Sequence, residues 1–425
     1  MTKMLMLGTS NGSREMLRYA KSQGIYTIVT DYLDPDHSIA KKMADEYWMI
    51  NTTDIDALAE KCKQENVTAV ITGVSEFNLE RSLELCTKTG MRCYCSPESW
   101  HYSKDKQDFK RLCKKLGVPV PTDYSISEKL TDEELDQIKY PVVLKPVDLS
   151  SNRGISYCYN KQDVIKAYHL ARSMSKNPNI IVERMLHGEE WFASYALAKG
   201  EISLLALNAM YAQPGEPANC YTITTTVSDN VERFVNEVNP QIEKLLKEIG
   251  CKEGFVWVQA MLDEDEHFYI IEMGYRLEGA MIFIPYKDVC NFDVIKWMVD
   301  YACGRECLPS QLPPGQKKAY KKCGCAMMLW ANKSGVATRV EGIEEVSKIP
   351  GVIVDVRTKV GDQISQYRPY GNILFTTENC DEMCNIIDIV NKKIRIIDEN
   401  GTDMIIKYTD FDYLKKVYHD GLEGK

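Results

Sequence analysis

Phe255-Val256-Trp257-Val258-Gln259-Ala260-Met261-Leu262 and Phe268-Tyr269-Ile270-Ile271-Glu272-Met273 are two apolar runs of strand length, separated by the acidic stretch Asp263-Glu264-Asp265-Glu266-His267. Two β-prone runs joined by a short polar spacer read as a hairpin with a surface turn. With the turn centred between Asp265 and Glu266, Gln259 stands directly opposite Glu272 on one face of the pair. The surrounding positions are apolar, so that face is expected to be largely buried. A carboxylate there must be paired or must ligate a cation. Hard oxygen donors suit Mg²⁺. The alternative is a core ion pair between Glu272 and Arg276.

Upstream lies Tyr140-Pro141-Val142-Val143-Leu144-Lys145-Pro146, an apolar strand that ends in a lysine. Asp148-Leu149-Ser150-Ser151-Asn152-Arg153-Gly154 follows. Its small polar residues and glycine suit a loop whose N–H groups cradle phosphates. Between this loop and the hairpin is Ile181-Val182-Glu183-Arg184-Met185-Leu186-His187-Gly188-Glu189-Glu190. A strand that ends on a carboxylate and an apolar pair can bond adenine through its backbone and pack on the ring with Met185 and Leu186. Glu190 could hold ribose hydroxyls. A lysine snorkelling from a strand, and a solvated strand exit, are the plainer readings of these two segments.

Further out, residues 1–100 alternate strand and helix. Met4–Leu7 and Tyr26–Thr30 read as strands, Ser13 as the N-cap of a helix to Gln23, Thr53–Glu65 as a helix and Ala69–Thr72 as a third strand. This alternation implies a parallel, Rossmann-like sheet. Gly8, Gly12 and Asp31 hint at a dinucleotide site, but GxGxxG is absent. Residues 104–120 read as an amphipathic helix closed by Gly117. Helices near 131–138 and 161–175, with strands at Pro141–Lys145, Ile155–Tyr159 and Ile180–Glu183, form a small α+β unit. Leu308–Gly315 is a linker by composition, and 317–425 reads as an α+β cap.

The totals exclude several classes. The chain has 425 residues and a net charge of -9, with no Lys/Arg block, which argues against a nucleic-acid partner. No apolar run is long enough to span a bilayer. The 15 cysteines are scattered without a CxxC pair, and the six histidines lack HxxxH spacing. They read as free thiols of a cytoplasmic protein, not as a zinc site.

In order, these segments resemble the ATP-grasp superfamily, in its biotin-carboxylase-like, purine-ligase-like and carbamoyl-phosphate-synthase-like branch. Asp105-Lys106 followed by Lys114-Lys115-Leu116-Gly117-Val118-Pro119 resembles the helix that opens the family's nucleotide region. Val143–Pro146 resembles the second nucleotide-lysine strand, and Ser150–Gly154 the phosphate loop. Glu183, Arg184, Met185 and Leu186, with Glu190, fall at the adenine hinge and ribose carboxylate. Gln259, Glu272 and Arg276 match the metal hairpin and the arginine after it. The resemblance implies an N-terminal Rossmann-like (pre-ATP-grasp) domain at 1–103, an ATP-grasp domain at 104–316 with a lid at about 120–190, and a C-terminal α+β domain at 317–425.

It also implies an enzyme: a ligase using ATP and Mg²⁺, with Mn²⁺ as a substitute. A carboxylate becomes an acyl phosphate that an amine then attacks, releasing ADP and phosphate. Lys106 and Lys145 would neutralise phosphates. Ser150, Ser151, Asn152, Arg153 and Gly154 would close over the γ-phosphate. Gln259 and Glu272 would hold the metal, and Arg276, with Lys145 and Arg153, would act on the transferred group. The expected partners are a small-molecule acid and amine, with a homodimer admitted. Three departures stand out: Gly274 replaces the family's usual Asn, Gln259 stands for the usual Glu as in carbamoyl-phosphate-synthase-type domains, and Leu277-Glu278-Gly279-Ala280 lacks the bicarbonate base of biotin carboxylases. A bicarbonate-phosphorylating enzyme, a non-catalytic nucleotide-binding protein and an NAD-binding Rossmann protein are the rivals.

Overall fold

The strand–helix alternation of the first hundred residues builds a parallel sheet. A computed structural model describes residues 1–147, 154–175 and 177–424. The expected loop residues Ser150, Ser151, Asn152 and Arg153 lie outside the described residues. The first sheet has the order Glu46–Trp48, Tyr26–Thr30, Lys3–Leu7, Ala69–Ile71, all parallel. Both of its faces are buried, as a parallel sheet requires. Ser13 is not an N-cap. Gly12 takes that place at φ 81, and the Ser13 hydroxyl instead accepts the Ser10 N–H at 3.1 Å. Asp31 is also committed: it is buried against Lys41 at 2.8 Å. A carboxylate so paired is not free for a ribose, which removes the main support for the NAD reading.

The second sheet has four antiparallel strands in the order Asp123–Tyr124, Ile180–Arg184, Val142–Pro146, Ser156–Cys158. Helix Lys161–Met174 covers one face, and Val142, Leu144, Val164, Ala171 and Val182 form its small core.

The third sheet is the largest. Its order is Phe268–Gly274, Gly254–Asp263, Gly188–Ala198, Glu201–Ala212, Tyr221–Thr225, Cys323–Trp330, Pro369–Thr377, Ile353–Val356. Its strands pair antiparallel throughout. The C-terminal segment therefore continues the sheet that the central segment begins. One face packs on Phe234, Ile242, Leu246 and helix Cys380–Lys393, and the other on helix Val294–Ala302 and the first sheet. Among the described residues, no helix is long and apolar enough to cross a membrane.

Candidate active site

The hairpin forms the floor of the site. Its turn closes through Asp263 N–H to His267 O (3.1 Å) and Glu266 N–H to Asp263 O (2.9 Å). Leu262 pairs with Phe268 and Ala260 with Ile270, but Gln259 pairs with Glu272 and Trp257 with Gly274. The turn thus centres on Asp265, half a residue earlier than the sequence reading, and Ile271 is an extra residue in its strand. This bulge decides which way the carboxylate points. Under strict alternation Ile270 and Glu272 share a face. With Ile271 inserted, Ile270 stays fully buried in the core while Glu272 turns to the opposite side.

That side faces a cavity of about 1420 Å³. Lys106, Lys145, Glu190, Gln259, Glu272 and Arg276 all line it. Each arrives from a different element. Asp105 caps helix Lys106–Leu116 by accepting the N–H groups of Gln107 (3.0 Å) and Asp108 (2.9 Å), and Gly117 ends the helix at φ 74. This fixes Lys106 in the first turn, with Nζ 2.9 Å from Glu272 Oε2. The partner of Glu272 is therefore Lys106 and not Arg276. Arg276 gives its Nε (3.0 Å) and Nη2 (2.7 Å) to Glu76 Oε1, and its guanidinium lies 5.1 Å from the centre of the Trp257 ring.

Lys145 and Glu183 lie on neighbouring strands, where Glu183 is opposite Val143 and so diagonal to Lys145. The Glu183 carboxylate binds both Lys145 and Lys110, and all three residues are buried. Glu183 is therefore not an adenine contact through its side chain; it anchors two lysines. Lys110, one helical turn beyond Lys106, was not anticipated. The i,i+4 spacing of the two lysines on an amphipathic helix is the signal that could have shown it. Two ammonium groups on one buried carboxylate leave an excess positive charge, which an anion from the cavity would balance.

Arg184, Met185 and Leu186 are not brought to the cavity lining. Arg184 turns to the hairpin tip, 2.7 Å from Asp263 and 3.3 Å from Asp265, with Tyr269 beneath it. The Met185 N–H bonds to Pro141 O at 3.1 Å, and Leu186 is buried. Gly154, at φ 75, ends the expected loop, and the cavity wall resumes at Ile155. A second group of acidic and imidazole ligands, His101, Asp105 and Asp108, is already committed to the helix cap and to the 2.7 Å His101–Asp108 contact.

The charges sort into two kinds. Burial pushes the Glu272 and Glu183 carboxyls up, but the lysines beside them outweigh it and hold both below the ordinary carboxylate value. Burial, with the nearby Glu272, pushes Glu190 up to about 7, against the Tyr221 hydroxyl that donates to it and the more distant Lys145. An ionised Glu272 beside the Gln259 carboxamide fits a hard divalent cation, with Lys106 occupying one of its oxygens.

Gly274, where the family usually has Asn, also has a local cause. A Cβ there would collide with the indole of Trp257, its partner in the ladder. The indole that excludes the Asn is the one that supports Arg276.

Residues 103–280 match the family model described as an ATP-grasp domain. The chain carries an ATP-grasp domain over those residues. It is 28% identical over 392 residues to a formate-dependent phosphoribosylglycinamide formyltransferase of Sulfurisphaera tokodaii, covering 89% of this chain and 93% of that one. It is 22% identical over 264 residues to the carbamoyl phosphate synthase large chain of Vibrio cholerae, covering 61% of this chain but only 23% of that protein. Among solved structures, an L-amino acid ligase from Bacillus licheniformis superposes with a TM-score of 0.77 at 15% identity, covering 94% of this chain and 99% of that one.

One ATP-grasp residue sets a pH dependence. Its raised pKa means that the fold favours neutral Glu190, so its contribution to stability is present at low pH and declines as pH rises through about 7. Binding should run the other way, because an ionised carboxylate is the better acceptor for ribose hydroxyls, the role expected of Glu190. Affinity for an ATP analogue should increase as pH rises through 7, and Glu190→Gln should flatten that rise. Calorimetric titrations across this range check it; an equally steep rise in the variant would remove Glu190 from the nucleotide site.

Proposed function

We propose that the chain is an ATP-dependent carboxylate–amine ligase, forming an acyl phosphate and then an amide-type bond with release of ADP and phosphate. The observation that carries this reading is the surplus of positive charge at Lys145, Lys110 and Glu183, of which Lys145 lines the same cavity as Gln259, Glu272 and Arg276. Phosphoryl transfer needs positioning and charge neutralisation more than a covalent side chain. Lys106 and Lys145 would take the phosphates of ATP, and Glu190 the ribose. Gln259 and Glu272 would hold Mg²⁺, or Mn²⁺ in its place, and the ion would neutralise charge on the transferred group. Lys106 would then exchange its Glu272 partner for phosphate. Arg276, steadied by Trp257 and Glu76, would bind the acyl phosphate oxygens. Ser150 to Gly154, with Arg153, would close over the γ-phosphate.

We keep the division into an N-terminal unit at 1–103, an ATP-grasp unit at 104–316 with a lid at about 120–190, and a C-terminal unit at 317–425. The last two share one sheet. A cytoplasmic location and a homodimer are further proposals.

Oxygen transfer tests the reaction. After a screen of acid and amine pools for phosphate release, the active acid is labelled with oxygen-18 in its carboxyl group. One labelled oxygen is expected in the released phosphate. Label kept wholly in the acid and product sinks the acyl-phosphate route. ATP binding without turnover on any acid favours a non-catalytic nucleotide-binding protein, a reading to which the missing Asn at Gly274 lends support.

A further inference from the structure

Away from Lys145, the cavity wall is built from both ends of the chain. Asp355, on strand Ile353–Val356, is buried and its carboxylate holds two guanidinium groups. Arg14 Nη1 lies 2.9 Å from Oδ1. Arg357 places Nη2 2.9 Å from Oδ2 and Nε 3.4 Å from Oδ1. Two cations on one anion leave a net positive charge. Arg14 sits behind, its side chain 20% exposed, whereas Arg357 is 38% exposed and lines the cavity. With its Nε–Nη2 edge on Asp355, the Nη1 edge of Arg357 is turned outward.

This edge opens into the same cavity as Arg276. Asn372, opposite Asp355 in the ladder, donates Nδ2 to Gly279 O at 3.4 Å, and Asn11 donates to the same oxygen at 2.8 Å. Gly279 belongs to the loop that begins at Arg276. At that loop, Glu76 spends only Oε1 on Arg276, which leaves Oε2 at the cavity. Among the described residues, the wall thus offers the outward edge of Arg357 and, near Arg276, two carboxylate oxygens without a partner, Glu76 Oε2 and the buried Glu278 Oε2. Asp362, also in the wall, would repel an anion, but it is exposed and accepts the Lys359 N–H at 2.8 Å.

We infer that the amine substrate is an amino acid, its ammonium group on Glu76 and its free carboxylate on Arg357. Arg357 is the specificity-determining residue and Asp355 the positioning residue that orients it. A guanidinium edge reads a planar carboxylate with two parallel hydrogen bonds, which a neutral amide cannot match. The inference rests on the ligase reading for calling the ligand a substrate; the binding site stands without it.

The test is calorimetry on the full chain saturated with a non-hydrolysable ATP analogue and Mg²⁺, titrated with each standard L-amino acid and its carboxamide. At least one amino acid should bind about tenfold or more tightly than its carboxamide, the scale of a charge-assisted hydrogen bond. Arg357→Gln should bring that ratio to about one, and Arg357→Lys should keep part of it. Unchanged affinity for the analogue shows that a variant is folded; should the Gln variant fail this control, the Lys variant decides by a reduced ratio. Equal binding of acid and carboxamide, no amino acid binding at millimolar concentration, or a ratio unchanged in the folded variants each overturn the inference. A preference that depends on Arg357 without oxygen transfer to phosphate would sink the ligase reading and leave this site standing.

Discussion

Lys145→Ala should weaken binding of an ATP analogue about 10- to 100-fold, the loss expected when a charged hydrogen bond to phosphate disappears. The variant should still fold, because Glu183 keeps Lys110 as a partner. Its stability should nevertheless fall by about 1–3 kcal/mol, since a buried carboxylate loses one of two ammonium groups. Chemical denaturation and calorimetry separate the two effects. Unchanged nucleotide affinity in a folded variant would remove Lys145 from the site and with it the reading of the charge surplus as a phosphate cradle.

Arg276→Ala should do the opposite. ATP affinity should stay nearly constant, and kcat should drop about 10²- to 10³-fold, as when a donor aimed at developing charge is removed. Arg276 is held by Glu76 and Trp257 in the cavity that Glu272 and Lys145 also line, where, on the ligase reading, it can strengthen its bonds as charge moves onto the acyl phosphate. The measurement is steady-state kinetics with the acid and amine found by the pool screen. A rise in KM for ATP with kcat intact would mean that Arg276 serves binding and not the chemical step.

Much of this was legible in the chain because local rules agree there with the final packing. The helix over Lys106–Leu116 has a capping Asp105, an apolar stripe and a terminal Gly117, and each signal points to the same element. The strands Tyr26–Thr30 and Ile180–Arg184 are apolar runs with clear ends. What stayed hidden depends on distant partners. Glu183 reads as a nucleotide contact until Lys110 and Lys145 come together around it. Arg184 reads the same way until the hairpin tip supplies Asp263. The opposition of Gln259 and Glu272 followed from counting across the turn, yet the count succeeded because an early turn and the extra Ile271 offset one another. No periodicity rule marks a bulge in advance. The Arg14–Asp355–Arg357 cluster was invisible for the plainest reason: Asp355 and Arg357 are neighbours in sequence, but Arg14 joins them from 341 positions away.

The large sheet also constrains how the chain can be made and trimmed. Strand Tyr221–Thr225 pairs on one side with Glu201–Ala212 and on the other with Cys323–Trp330, about a hundred residues later in the sequence. During vectorial synthesis its outer edge therefore waits unpaired, with Ile223, fully buried in the finished fold, still uncovered, until the later strand emerges. An open edge of this kind is a template for pairing with another chain. The proline-rich stretch at 308–315 looks like a natural place to cut. Cleavage there would sever the polypeptide in the middle of a single continuous ladder, and each fragment would carry half of an aggregation-prone seam.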